Sequence, residues 1–238
     1  QDGVNKGLGK ALNLGIAAAL RAGSSHAVLF DQDSSPNEDF LTDMLAMHAL
    51  AEREQQQPVC IGPLHIDDAT SMSATSQDRL HAHDALRPVS CLATSGMLFR
   101  LDRLPTDSLF TEEFFLDFVD FDWCWRLQQK GWVFRRALGV TMLHRLGLAQ
   151  RNFLGLTFHV PAPYRHYFQF RDTLRLVFRG YVPLYAKFRL GLLLPLKIVA
   201  YPFVLDNGWE RLRWMVRGIA DALRGVTGAG AAGKALGA

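Results

Sequence analysis

At 238 residues the chain is long enough for one large domain, or for one domain with appendages. Its three cysteines, Cys60, Cys91 and Cys124, are odd in number and far apart, which excludes a disulfide framework and a C-x-x-C zinc knuckle and fits a reducing compartment. The net charge of +3 conceals an asymmetry: residues 1–144 hold 12 Lys and Arg against 19 Asp and Glu, whereas residues 145–238 hold 14 against 4, so an acidic half suited to metal joins a basic half suited to phosphates or anionic lipid.

The chain opens on Gln1-Asp2-Gly3 with neither a starting Met nor a secretory leader, and it reads as part of a longer protein whose earlier strands lie upstream. Asn5 is placed to cap a helix running to about Ala22, with Leu8, Leu12, Ile16 and Leu20 as its apolar face. Glycines 3, 7 and 9 either let backbone approach a ligand at that helix start or mark an ordinary loop. His26 to Ser34 (HAVLFDQDS) is an apolar run ending at two aspartates one residue apart. Val28, Leu29 and Phe30 predict a strand buried on both faces in a parallel sheet, with Asp31 at its carboxyl end, the edge where open α/β sheets bind ligands. Asp31 and Asp33 then aim the same way, as two hard oxygen ligands suited to Mg²⁺ or Mn²⁺. The same pattern also describes a solvated turn.

Ser35-Pro36-Asn37-Glu38 has the form of a capping box and predicts a helix to about Glu54 with Phe40, Leu41, Met44 and Leu45 buried, the methionines as core. Val59 to Leu64 predicts a short strand and a turn at Gly62-Pro63. Residues 67–88 read as a polar loop; His81 and His83 within it look more like surface than a metal cluster. Val89 to Phe99 is strand-like but broken at Thr94-Ser95-Gly96, the mark of a bulge or a close backbone approach. Next, an aromatic run ends at Asp120, and a short helix follows with Trp123, Cys124 and Leu127 on one side, Arg126 and Lys130 on the other, and Gly131 as its stop. A helix start favours anionic residues, so Asp120 and Asp122 admit a purely structural account. Two short strands, Trp132 to Phe134 and Val140 to Leu143, lead to His144.

From Arg165 the basic residues Arg165, Arg171, Arg175 and Arg179 recur among aromatic and aliphatic ones, predicting an amphipathic helix with a basic face. Tyr181 to Leu205 is strongly apolar, but Lys187, Arg189 and Lys197 interrupt it and Pro195 and Pro202 break it, so it suits the plane of a membrane interface better than a crossing. Glu210 to Arg224 repeats the basic pattern, and Gly225 to Ala238 reads as a small-residue disordered tail. The alternative for this half is a helical subdomain packed on the rest of the chain or on a second subunit.

Taken in order, these pieces resemble the inverting family 2 glycosyltransferases of GT-A fold, and within them the rhamnosyltransferase branch that builds bacterial surface polysaccharides. The resemblance covers roughly residues 3–180 and is carried by Asn5-Lys6-Gly7-Leu8-Gly9, Phe30-Asp31-Gln32-Asp33-Ser34, Ser95-Gly96, Phe115 to Arg126, His144, and Arg165 to Asp172. It implies a Rossmann-like α/β domain, mostly parallel with helices on both faces, over 1–160 and lacking its first strand or strands, then a basic, membrane-associated helical region over 161–224 and the tail over 225–238. It implies transfer of a deoxy sugar, L-rhamnose from dTDP-L-rhamnose, to a polysaccharide or lipid-linked acceptor at the cytoplasmic face of the plasma membrane. A divalent cation, Mg²⁺ or Mn²⁺, would be held by Asp31, Asp33 and His144, and the donor by Asn5, Lys6, Gly7, Asp31, Gln32 and Asp33. Asp120 would be the catalytic base, with Asp122, Trp123, Arg126, Ser95 and Gly96 supporting it or facing the acceptor. No nucleic-acid partner is expected, and self-association stays open. The chain departs from the branch at Tyr167-Phe168 and Arg171-Asp172, where Tyr-Tyr and Arg-Asn are usual, and at Asp122, where Glu is frequent. Two rival classes share single features: a haloacid dehalogenase-like phosphatase using Asp31 as nucleophile and Asp33 as acid, and a non-catalytic membrane-surface module.

Overall fold

The computed structural model describes residues 5–32, 34–66, 85–144, 149–153 and 156–233. The chain divides into two compact units, one formed by Leu14–Leu109 and Trp123–Leu146, the other by Gln1–Asn13, Phe110–Asp122 and Gly147–Ala238.

The first unit is a mixed sheet with helices on both faces. Its strands are β1 (His26–Val28), β2 (Ser34–Ser35), β3 (Val59–Ile66), β4 (Leu86–Pro88), β5 (Leu98–Arg100) and β6 (Val133–His144), ordered β1-β5-β3-β6-β2 with β4 also on β6. The expectation of a mostly parallel sheet is corrected: among the described residues only β3 and β6 run parallel, and the other pairs are antiparallel. A parallel neighbour needs a long crossover, here supplied between β3 and β6, while β5 enters in reverse through the turn at Thr94–Met97. That turn is tied to Leu29, whose N–H donates to the Met97 carbonyl at 2.9 Å and whose carbonyl accepts from Gly96 N–H at 2.7 Å. β1 is correspondingly an edge strand with all three residues half-buried, and Phe30, expected in the core, is exposed.

Alternation along the strands divides the core. Ile61, Leu98 and Val140 pack with Phe40 and Met44 of α2 (Phe40–Glu54). On the other face Phe99 and Phe134 meet the ring of Trp123 in α3 (Val119–Gln128). Two helix details differ from expectation. Ser35 is used in β2, opposite Leu143, so the capping box does not form and α2 begins at Phe40. With Phe40 anchored, the buried stripe is Phe40, Met44, His48 and Ala51, and Leu41 and Leu45, one step round the helix, are exposed. β3 runs straight through Gly62-Pro63, and β6 is one strand of 12 residues rather than two pieces. The interruption read from residues 135–139 is a bulge: Pro63 pairs with Ala137 and Leu64 with Thr141. Gly131, at φ +82, ends the α3 region as its composition predicts.

The second unit holds the hairpin β7 (Ala149–Phe153) and β8 (Leu156–Val160) and three helices, α4 (Arg165–Val177), α5 (Leu184–Val204) and α6 (Gly208–Leu223). Phe170, Leu194 and Met215, one from each helix, form a shared core with Leu174, Ile198, Tyr201 and Ile219. The basic face expected on α4 is corrected, because Arg171 and Asp172 are both fully buried. Arg171 binds Asp172 at 2.7 Å and the Gly228 carbonyl at 2.6 Å, between the rings of Tyr167 and Phe168. Residues 225–233, read as part of a disordered tail, instead pack on α4: Ala231 N–H donates to the Tyr167 hydroxyl, and Ala232 joins Phe115, Tyr167 and Phe168. No helix of the described residues is long and apolar enough to cross a membrane.

Candidate functional site

The Asp31 carboxylate sits just past the end of β1, in a turn closed reciprocally by Ser34. Asp31 N–H donates to Ser34 Oγ and Ser34 N–H to the Asp31 carbonyl, both at 3.1 Å. Ser34 Oγ in turn shares a hydrogen bond with Ser95 Oγ, and the Ser95 carbonyl meets His65 Nε2 at 2.9 Å. Ser34 also pairs in register with His144, so the main chain of that histidine lies beside the residue that follows Asp33 in sequence. Asp33 itself lies outside the described residues, as do His81 and His83. Among the described residues no group of three His, Cys, Asp or Glu is assembled to hold a metal ion.

Ser95 and Gly96 serve this turn from beneath. Ser95 is fully buried, which puts it out of reach of an acceptor and makes it a fastener of the Asp31 turn. Gly96 adopts φ +78, and a Cβ there would stand 2.5 Å from the Pro63 ring, so a close backbone approach explains the break in the strand pattern. His65 is the residue sequence reasoning missed. It follows the Gly62-Pro63 pair that was read as the end of its strand.

The other cluster of predicted residues lies in the second unit, on the segment 110–122. This segment is tied down by basic and polar side chains: Lys10 binds Glu112 at 2.9 Å, Arg165 binds Asp117 at 2.8 Å, and Arg179 binds Glu113. Asn13 exchanges two hydrogen bonds of 2.9 Å with the backbone of Phe110. Phe118 is held at φ +67, a conformation that costs a bulky side chain on the order of 1–3 kcal/mol and that clusters at functional sites. Its carbonyl accepts from Asp122 N–H at 3.0 Å, opening α3.

Asp120 and Asp122 therefore differ although two residues apart. Asp122 is 1% exposed and its Oδ1 accepts from the Tyr181 hydroxyl, a partner nothing in the local pattern predicts. Asp120 is half-buried, with Oδ1 accepting from Phe121 N–H at 2.8 Å. Of the two, Asp120 on the first turn is the less buried.

Three further predicted residues have local partners. Trp123 is fully buried, its indole N–H donating to the Ser108 carbonyl at 2.7 Å, which places it in the core rather than against an acceptor. Arg126 donates to the Leu109 carbonyl at 2.8 Å. Asn5 does not cap the first helix, α1 (Leu8–Arg21); its Oδ1 accepts from Gly7 N–H at 3.1 Å, one turn earlier. Gly7 is buried at φ +87 with the Phe115 ring against it, and Lys6 and Gln32 are exposed.

The sequence is similar to the dTDP-rhamnosyl transferase RfbF of Shigella flexneri, at 24% identity over an alignment covering 96% of this chain and 79% of the relative. No family model matches the chain.

Proposed function

We propose that the protein is an inverting, family 2 glycosyltransferase of GT-A type that moves L-rhamnose, or a related deoxy sugar, from its dTDP donor to a glycan or lipid-linked acceptor at the cytoplasmic face of the membrane. The observation that carries the reading is the extent of the likeness to a dTDP-rhamnosyl transferase, which takes in the acidic and basic halves together. The local geometry agrees with it. Asp31 lies in a turn just past the end of β1, a place where α/β proteins hold phosphates.

Asp31, Asp33 and His144 would hold a divalent cation. Asp31 and Asp33 stand one residue apart in sequence and the main chain of His144 pairs with Ser34, so the donor types are compatible with Mg²⁺ or Mn²⁺. Bound there, the cation would neutralise charge developing on the departing diphosphate. Asn5, Lys6, Gly7 and Gln32 would meet the donor. Asp120 would take the proton from the acceptor hydroxyl as its oxygen bonds to the anomeric carbon and the bond to dTDP breaks. A single displacement needs no second carboxylate as nucleophile, which suits an Asp122 already engaged by Tyr181.

Calorimetry of the full gene product with dTDP-L-rhamnose and MnCl₂ tests the donor half of this reading. Binding that disappears with EDTA, or in Asp33→Ala, is expected; metal-independent binding, or none, contradicts it.

A further inference from the structure

Helix α5 is apolar on both sides, yet among the described residues only one side is covered by protein. Ala186 and Leu194 turn inward onto the shared helical core. The opposite side presents Tyr185, Phe188, Leu192, Leu196, Val199 and Phe203, spaced at three and four residues along about 30 Å of helix. Phe188, Leu192 and Phe203 are 74%, 75% and 78% exposed. A helix apolar all round belongs inside a protein or against lipid.

Helix α6 continues this surface. The rings of Phe203 and Trp209 meet at 5.9 Å where one helix gives way to the next. From there Trp209, Val216 and Leu223 form an exposed apolar line, and Arg213, Arg217 and Arg224 run beside it, also exposed. Of the two acids of α6, Asp221 accepts from Tyr167 and pairs with Arg224 at the end of the row, and Glu210 accepts from Trp214, so the arginines outnumber the acids on this helix. Helix α5 contains no acid at all.

We infer that the outer face of the α5–α6 hairpin lies in the plane of an anionic bilayer, with the α5 stripe among the upper acyl chains and the arginine row of α6 at the headgroups. Charge decides the occupant. A second copy docking through the same face by a two-fold axis would bring arginine rows together with no carboxylate on α5 to offset them. Anionic headgroups match the row, and the aromatic residues at both ends of the stripe suit the membrane–water boundary. The inference rests on the membrane placement proposed above and assigns it to α5 and α6, with α4 buried beneath them.

Its test requires no transfer activity, so it and the enzymatic reading fail separately. The full chain is sedimented with vesicles of 30% phosphatidylglycerol in phosphatidylcholine, and its association state is followed by ultracentrifugation. Association that weakens with salt is expected, roughly 30-fold weaker in Arg213→Ser/Arg217→Ser and abolished in Leu192→Glu/Leu196→Glu. Brominated acyl chains should quench fluorescence in the wild type and much less in Trp209→Phe, a readout that stands even where the glutamate variant misfolds. Absence of vesicle binding, undiminished binding by the glutamate variant, no Trp209-dependent quenching, or a dimer that this variant dissociates would each overturn the inference.

Discussion

Helices α4 and α5 are built from the same kinds of residue, cations spaced among aromatic and aliphatic side chains, and they use them in opposite ways. In α4 the cation is sealed inside: Arg171 has Asp172, a carbonyl of the C-terminal segment and two rings around it. In α5 the apolar side chains face outward and no acid accompanies the cations. What separates them is the remainder of the chain. An arginine beside an aromatic residue becomes a buried strut where distant carbonyls and carboxylates converge on it, and a surface feature where none do.

The contrast breaks most sharply through stability. Arg171→Ala should cost about 3–5 kcal/mol, because it leaves the Asp172 carboxylate buried without its partner. Replacing exposed Leu192 or Leu196 should shift stability by no more than about 0.5 kcal/mol. Urea unfolding of the three variants compares them directly, and equal losses would erase the distinction.

A pH series sharpens it further. Burial pushes the Asp172 carboxyl up to about 6, and burial beside Arg211 pushes His166 down to about 4. Between about pH 4 and 6 the native state holds a proton on Asp172 that the unfolded chain has released, so stability falls as pH rises through that window. His166 acts with the opposite sign, since the unfolded chain takes up a proton near pH 6.5 that the native state refuses. Asp172→Asn should therefore gain stability from pH 4 to 6.5, and His166→Gln should lose it from pH 4 to 6. Thermal melts across the range read both slopes, and parallel profiles would contradict the assignment.

A smaller loss than at Arg171 is expected at Tyr181→Phe, about 1–2 kcal/mol of stability from the lost hydrogen bond to Asp122. Transfer should slow without change in the affinity for dTDP-L-rhamnose. A loss of affinity would place Asp122 in the donor site.

What the sequence revealed divides along the same line. Patterns confined to a few residues were legible: the buried side of α3, its glycine stop, and the helices α4 and α6, whereas Pro195 and Pro202, expected to break the apolar stretch, lie inside the single helix α5. Features assembled from distant segments were not. The direction of β5 depends on a turn tied to Leu29, Asp122 is claimed by a tyrosine 59 residues away, and the small-residue tail folds because Arg171 and Tyr167 wait for its backbone. Short-range periodicity carries no information about such partners. Ser95 and Trp123 show the same limit at the candidate site, where motif position leaves support and acceptor contact both open and burial favours support.

The central claim is that Asp120, half-buried on the first turn of α3, removes the acceptor proton while Asp122 holds the turn in place. Single-turnover transfer from dTDP-L-rhamnose by Asp120→Asn, with donor binding measured in parallel, tests it most directly. The account predicts a rate loss of about 10²–10⁴-fold with donor binding intact. Near-normal transfer by Asp120→Asn would contradict it.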